Sequence, residues 1–265
     1  MLPASSQWLW PQWRHHQRVG CCVTTRLGEW SPPPWQGFNL GLNCEDEAAR
    51  VLLARQHVSD SLGVPVAWLT QVHGTTLVSA PLAEPRSEAD AVMTDQPGIA
   101  CAVLTADCLP VLMARQDGAA VAAVHAGWRG LASGILEQTA ARLGGGGTAL
   151  DIWIGPGICQ ACDQVGEEVY ESFISSDPES VRYFLADGEA HWRCDLAGLA
   201  AHRLALDGIA DVQPSGLCTV CDNRQFYSHR HEARTGRFAT LIWLKEPTST
   251  LSLASEREGV SPHSP

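Results

Sequence analysis

The sequence predicts an α+β fold in a single domain. Apolar runs of strand length recur along the chain, and helix-spaced apolar residues occupy separate stretches. The first half shows no regular strand–helix alternation of the kind that builds a parallel sheet. No linker composition divides the 265 residues, no internal repeat is visible, and the length suffices for a substantial core.

The elements follow in order. Residues 1–18 read as an N-terminal arm, with Trp8, Trp10 and Trp13 among polar residues and prolines. A strand is predicted over 19–25, then a loop over 30–35, where three consecutive prolines interrupt regular pairing. Val51, Leu52, Val58 and Leu62 fall at helical spacing, so a helix is predicted over 45–62, stopped by Gly63. Strands are predicted at 66–72, 99–104, 109–114 and 120–125. A helix over 130–143 places Leu131, Ile135 and Leu136 on one face and ends in the glycine loop 144–147. A strand over 150–154 is followed by the Gly155-Pro156-Gly157 turn and a helix over 165–173. A helix over 195–206, a strand over 209–212 and a last strand over 238–244 complete a catalytic domain spanning 19–245. Residues 246–265 turn to Ser, Thr and Pro and are expected to form a disordered tail.

Composition narrows the function classes. The chain is 45% hydrophobic and 18% charged, as a globular protein is. A formal net charge of -11 argues against nucleic-acid or acidic-membrane partners, whose phosphates need clustered Lys and Arg. Positive charge is nearly all arginine, with Lys245 the single lysine. The N-terminus lacks the basic start and apolar centre of a signal peptide. No stretch approaches the roughly 18 unbroken apolar residues of a membrane span. A cytoplasmic location is expected, so the ten cysteines read as buried thiols or metal ligands before disulfides.

His73, Cys108 and His125 each close an apolar run where a strand is expected to end. Two imidazoles and a thiolate suit zinc, and three protein ligands leave a fourth position open, as catalytic sites do. Thr105-Ala106-Asp107-Cys108 puts a carboxylate beside the thiolate. Asp107 is therefore a candidate general acid/base, or a partner orienting a histidine; a polar turn with a buried Cys is the plainer alternative. His125-Ala126-Gly127-Trp128-Arg129-Gly130 opens a helix whose free amides favour anions, with Arg129 able to add a guanidinium. Phe226-Tyr227-Ser228-His229-Arg230-His231, then Arg234-Thr235-Gly236-Arg237, is the densest cationic cluster, read as an anion site, a wall of the cleft or a solvated loop. Two CxxC pairs, Cys159/Cys162 and Cys218/Cys221, stand about 55 residues apart, against the roughly 15–20 of a zinc ribbon. They are expected to be incidental.

Together these segments resemble the YfiH/YlmD-like family, the laccase-domain or polyphenol oxidase-like proteins that include purine nucleoside phosphorylases. The matching pieces are Thr25-Arg26, Phe38-Asn39-Leu40-Gly41, Gln71-Val72-His73-Gly74, Ala89-Asp90-Ala91, Thr105-Ala106-Asp107-Cys108 and the His125–Gly130 segment. Ile154-Gly155-Pro156, Cys218-Thr219, Phe226-Tyr227-Ser228-His229-Arg230 and Thr235-Gly236-Arg237 continue the series, which covers residues 20 to 244. The resemblance implies a layered α/β sandwich with mixed sheets and a zinc site at strand ends, on His73, Cys108 and His125. It implies phosphorolysis of adenosine, inosine, guanosine and methylthioadenosine, with deamination of adenosine to inosine. Ala54 stands where the family usually has Asn before Arg55, His231 replaces a second arginine, and Cys159 and Cys221 are additions.

The expected protein is thus a zinc-dependent purine nucleoside enzyme, a monomer acting on a small nucleoside and phosphate. Asp107, Cys108 and Arg129 are its candidate catalytic residues; Arg26, Asn39, Arg55, Gln71 and Arg230 are candidate substrate or phosphate holders. Three alternatives stay open. Copper in the same thiolate–imidazole set would suit a phenol oxidase. Cys108 as nucleophile would suit a hydrolase editing cell-wall precursors. A non-catalytic metal- or nucleotide-binding protein is the third.

Overall fold

The computed structural model describes residues 4–11, 18–84, 87–144 and 149–246. Strand β1 (Val19–Val23) precedes helix α1 (Ala48–Leu62), which Gly63 closes at φ 70°, the left-handed conformation glycine adopts without penalty. Strands β2 (Val66–Ala67) and β3 (Leu77–Ser79) lead to β4 (Ala91–Thr94), β5 (Ala100–Thr105), β6 (Leu109–Arg115) and β7 (Val121–Ala126). Helices α2 (Trp128–Ala132) and α3 (Ile135–Gly144) follow, then β8 (Leu150–Ile154), β9 (Gln164–Gly166) and α4 (Glu167–Ile174). Strands β10 (Phe184–Ala186) and β11 (His191–Cys194), helix α5 (Leu196–Leu206), and strands β12 (Val212–Pro214) and β13 (Phe238–Leu244) complete the order.

Two mixed sheets stack face to face. One has strand order β1-β13-β5-β2 and the other β12-β8-β6-β7-β4-β3; a small third sheet is β10-β11-β9. The alternation along β7 explains the layering. Val121 and Ala123 point between the two large sheets, with Val103, Leu112 and Ile242. Ala122 and Val124 point the other way, onto Leu136 and Ala140 of α3 and Leu199 and Leu204 of α5. On the outer face of the four-stranded sheet, Cys22, Ala102 and Leu241 pack on Ala54 and Val58 of α1 and on Trp8 and Phe38. The expected layered α/β sandwich with mixed sheets is the observed fold. Among the described residues no helix is long and apolar enough to cross a membrane.

Several element boundaries differ from expectation. Of the strand predicted over 66–72 only Val66–Ala67 pairs with β5; Thr70 forms an isolated parallel bridge with Glu88, and the chain then enters the turn carrying His73. Gln71 then replaces the lost pairing: its side chain accepts from the Leu104 amide (2.7 Å) and donates to the Leu104 carbonyl (2.8 Å). The helix predicted over 130–143 is broken at Gly134, whose φ of 87° no helix accommodates. The strand predicted over 209–212 lies at Val212–Pro214, and residues 164–166 form a strand before α4. The arm is described at 4–11, where Trp8 is buried and Leu9 exchanges backbone hydrogen bonds with Val23 (2.9 Å). The expected tail lies outside the described residues from 247 onward.

Candidate metal and active site

His73, Cys108 and His125 come from three places and meet at one. Their ligand atoms all lie within 4.8 Å of one another. Cys108 sits in the turn where the chain crosses from β5 in one sheet to β6 in the other. His125 is the penultimate residue of β7, and His73 occupies a turn at φ 61°. The His73 and His125 rings meet edge to face, with centroids 4.7 Å apart, and His73 Nε2 lies 3.9 Å from Cys108 Sγ.

One buried carboxylate holds two of the three. Asp90 Oδ1 accepts from the His73 amide (2.9 Å) and from His125 Nδ1 (2.7 Å). Its Oδ2 accepts from the amides of Gly74 (2.7 Å) and Val72 (3.2 Å). Because an ionised carboxylate only accepts, Nδ1 of His125 carries the proton and Nε2 remains as its ligand atom. Burial opposes charge on Cys108, but the His125 and His73 imidazoles outweigh it and hold the thiol down to about 6. Burial also opposes protonation of His125, but the Cys108 thiolate and Asp90 raise it to about 9. Gly127 leaves room for this cluster: a Cβ there would stand 2.9 Å from His73 Cδ2 and 3.3 Å from Cys108 Sγ. The donor types, their separation, the oriented imidazole and the bare glycine all fit a tetrahedral ion with one open position.

Residues 20–245 match the family described as multi-copper polyphenol oxidoreductase laccase. The chain is 41% identical to a purine nucleoside phosphorylase of Pseudomonas aeruginosa over 242 residues, covering 90% of this chain and 99% of that one. It is 39% identical over 239 residues to the purine nucleoside phosphorylase YfiH of Escherichia coli, covering 88% and 97%. The chain belongs to the YfiH/YlmD-like family. Among solved structures, a Neisseria meningitidis protein superposes with a TM-score of 0.87 at 38% identity, covering 91% of this chain and 100% of that one. YlmD from Geobacillus stearothermophilus superposes at 0.83 with 26% identity, covering 90% and 96%.

In this YfiH-like chain the cluster forms one wall of a cavity of about 580 Å³, large enough for a small ligand. Arg55, Gln71, His229 and Arg237 also line it. Arg55 is buried; its Nε donates to the Leu40 carbonyl (2.9 Å) and its guanidinium lies 4.6 Å over Trp68. Arg237 donates to the carbonyls of Thr235 (3.0 Å) and Gly236 (2.9 Å), both through one nitrogen.

The other expected residues stand apart from the cavity lining, each bound to protein. Arg26 donates to the carbonyl of Asn223 and to Glu232 and lies 4.8 Å over the Tyr227 ring. Asn39 is fully buried; it donates to Asp46 and accepts from the amides of Gly41 and Arg237, so it sets the turn that carries Arg237. Arg129 is exposed, pairs with Glu168 (3.2 Å) and covers Trp128. Arg230 donates to the Cys162 carbonyl (3.0 Å) and to Asp163 (2.9 Å). Asp107, at φ 94°, has both oxygens engaged: Oδ1 accepts from Thr219 Oγ1 (2.6 Å) and Oδ2 from the Arg230 amide (2.7 Å). It is Asp90, not Asp107, that orients a histidine. In the sequence Asp90 stands in one of the family-like pieces with no role attached, and its one signal is an acid directly preceding an apolar strand run. In the sequence Arg237 stands in the cationic segment and in the Thr235-Gly236-Arg237 piece of the family resemblance, with no role of its own.

Proposed function

We propose that this protein is a zinc-dependent purine nucleoside phosphorylase that also deaminates adenosine. The observation that carries the reading is a three-ligand His/Cys/His cluster opening into a cavity with arginines on its wall. It sits in a chain about two-fifths identical, over nearly its whole length, to proteins named purine nucleoside phosphorylase. Adenosine, inosine, guanosine and methylthioadenosine are the proposed substrates.

His73, Cys108 and His125 would hold the ion, which when bound supplies Lewis-acid polarisation of a substrate or water oxygen. Arg237, with Arg55 beside it, holds phosphate against the anomeric carbon of the ribose, whose positive charge grows as the bond to the base breaks. His229, the imidazole on the cavity wall outside the cluster, donates a proton to the departing purine. Gln71 is pinned at both ends to Leu104, so it presents a fixed surface to the sugar. Asp107 acts by position: its two accepted hydrogen bonds fix the turn that aims Cys108.

The same donor set also accepts copper, so metal content is measured first. Adenosine is then incubated with zinc-loaded protein, with and without phosphate, and the products identified by mass spectrometry. Adenine with ribose 1-phosphate, formed only when phosphate is present, is the expected result, with inosine in both mixtures. Neither product from folded, zinc-loaded protein overturns the reading. A second reading then takes over, in which the Cys108 thiol, held down to about 6 between two imidazoles, is the nucleophile of a cell-wall editing hydrolase.

A further inference from the structure

The two CxxC pairs, expected to be incidental, converge. The sulfurs of Cys159, Cys162, Cys218 and Cys221 all lie within 4.8 Å of one another, and those of Cys162 and Cys221 are 3.7 Å apart. Four thiolates around a tetrahedral zinc at about 2.3 Å stand about 3.8 Å from one another. A disulfide needs about 2.05 Å between sulfurs, so the observed separation matches ligands of one ion better than bonded pairs.

The backbone is arranged for the same purpose. The Cys159–Cys162 segment closes a tight turn, in which the amides of Cys162 (2.9 Å) and Asp163 (3.0 Å) donate to the Cys159 carbonyl. In the second pair the amide of Asp222 donates to the Cys218 carbonyl (2.8 Å). The amides of Cys159 (3.4 Å) and Cys221 (3.5 Å) both donate to Cys218 Sγ, directing positive dipole ends at a sulfur. Two guanidiniums face the first turn: Arg193 donates to the Ala161 carbonyl (3.1 Å) and Arg230 to that of Cys162 (3.0 Å). Each guanidinium is also paired with a carboxylate, Arg193 with Asp187 (2.6 Å) and Arg230 with Asp163 (2.9 Å), so the two side chains tie the turn to its neighbours. The fold explains how residues so distant in sequence meet: Gly157 and Cys218 form a parallel bridge, which sets the two loops side by side.

We propose that these four cysteines bind a second, structural zinc ion, separate from the His73–Cys108–His125 cluster. Four protein sulfurs leave no open position, so the ion is a staple and not a reaction centre. What it staples matters to the first site. Thr219 lies between Cys218 and Cys221 and donates to Asp107, while Arg230 is tied to Cys162 and Asp163 and gives its amide to the same carboxylate. The second ion thus fixes the loops that grip the turn bearing Cys108.

The test counts metal and does not depend on turnover. Wild-type protein, purified without chelator from zinc-supplemented cells, is expected to carry two zinc ions per chain by plasma mass spectrometry. His73→Ala is expected to carry one, and His73→Ala combined with Cys162→Ser and Cys221→Ser none. Cobalt exchanged into His73→Ala should give the intense thiolate-to-metal absorption of a four-sulfur tetrahedral site. Should the triple variant fail to fold, wild-type protein alone decides: alkylation followed by peptide mapping is expected to leave these four thiols protected until zinc is stripped by a chelator. One zinc per wild-type chain, lost completely in His73→Ala, overturns the proposal. So does recovery of the four cysteines as disulfides, or as freely alkylated thiols, from freshly purified protein. Because no nucleoside enters the assay, the phosphorylase reading can fail while this one stands, and the reverse.

Discussion

Replacing Asp90 by Asn tests whether one buried carboxylate organises the first metal site. Asp90 accepts four hydrogen bonds, from the amides of Val72, His73 and Gly74 and from His125 Nδ1. Asparagine keeps the shape but sets an NH2 group against one pair of those donors and removes the charge from the other. A hydrogen bond to a charged group contributes about 1.5–3 kcal/mol, and a buried donor left unpaired costs a further ~1–3 kcal/mol. The expected loss is about 3–5 kcal/mol of unfolding free energy, the scale of breaking a buried pair. Zinc affinity should fall about 10–100-fold, as it does when a partner of a ligating histidine is removed. The pH dependence follows from the same contacts. Burial pushes the Asp90 carboxyl up, but the bonds from His125 and the turn amides prevail and hold it below its ordinary value. Its contribution is therefore present above about pH 3.9 and is lost as pH falls through the lowered value, so wild-type and variant stabilities converge in acid. Urea unfolding of metal-free protein at several pH values gives the first quantity, and competition with a chromophoric chelator the second. A stability change within about 0.5 kcal/mol, the range of ordinary surface substitutions, together with unchanged zinc affinity, would refute the reasoning.

Three further outcomes are expected. Gly127→Ala keeps an allowed backbone, since Gly127 has φ -66°, but its Cβ meets His73 Cδ2 at 2.9 Å; zinc affinity should drop at least ~10-fold with little change in thermal midpoint. Arg237→Ala should raise the KM for phosphate by about 10-fold or more, the loss of a charge-assisted bond, while the KM for nucleoside changes far less; equal loss in both would remove Arg237 from the phosphate site. Thr219→Val leaves one Asp107 oxygen without its donor, so it should cost about 1–3 kcal/mol, read by urea unfolding with the m-value unchanged.

What the sequence made legible depends on how locally each feature is determined. Strands β8 and β13 appear with their expected bounds because both are nearly continuous apolar runs, whose burial follows from composition. The three-stranded sheet of β9, β10 and β11 was not anticipated: its strands are three or four residues long and carry no clean alternation. Strand β2 ends at Ala67, and further along β5 a side chain, Gln71, pairs with the Leu104 backbone in place of a strand, an arrangement no local propensity encodes. The break at Gly134 was not anticipated either, although a glycine inside a helical pattern is the residue that permits it.

The site divides along the same line. His, Cys and His at the ends of apolar runs are chemically specific, so the first cluster could be read from residue type alone. Arginines are not specific in that way. Arg26 and Arg237 look alike in sequence, yet one is spent on a carboxylate, carbonyls and Tyr227 while the other meets carbonyls of its own turn on the cavity wall. The convergence of the cysteine pairs escaped sequence reading for a third reason. Motif spacing measures separation along the chain, and here the Gly157–Cys218 bridge closes a gap that spacing rules count against. The reach of that bridge extends to the first site, because Cys218 is followed at once by Thr219, whose hydroxyl holds Asp107, whose neighbour is Cys108. A cluster that looks accidental in the sequence is thus two residues and one hydrogen bond from the thiolate of the candidate active site.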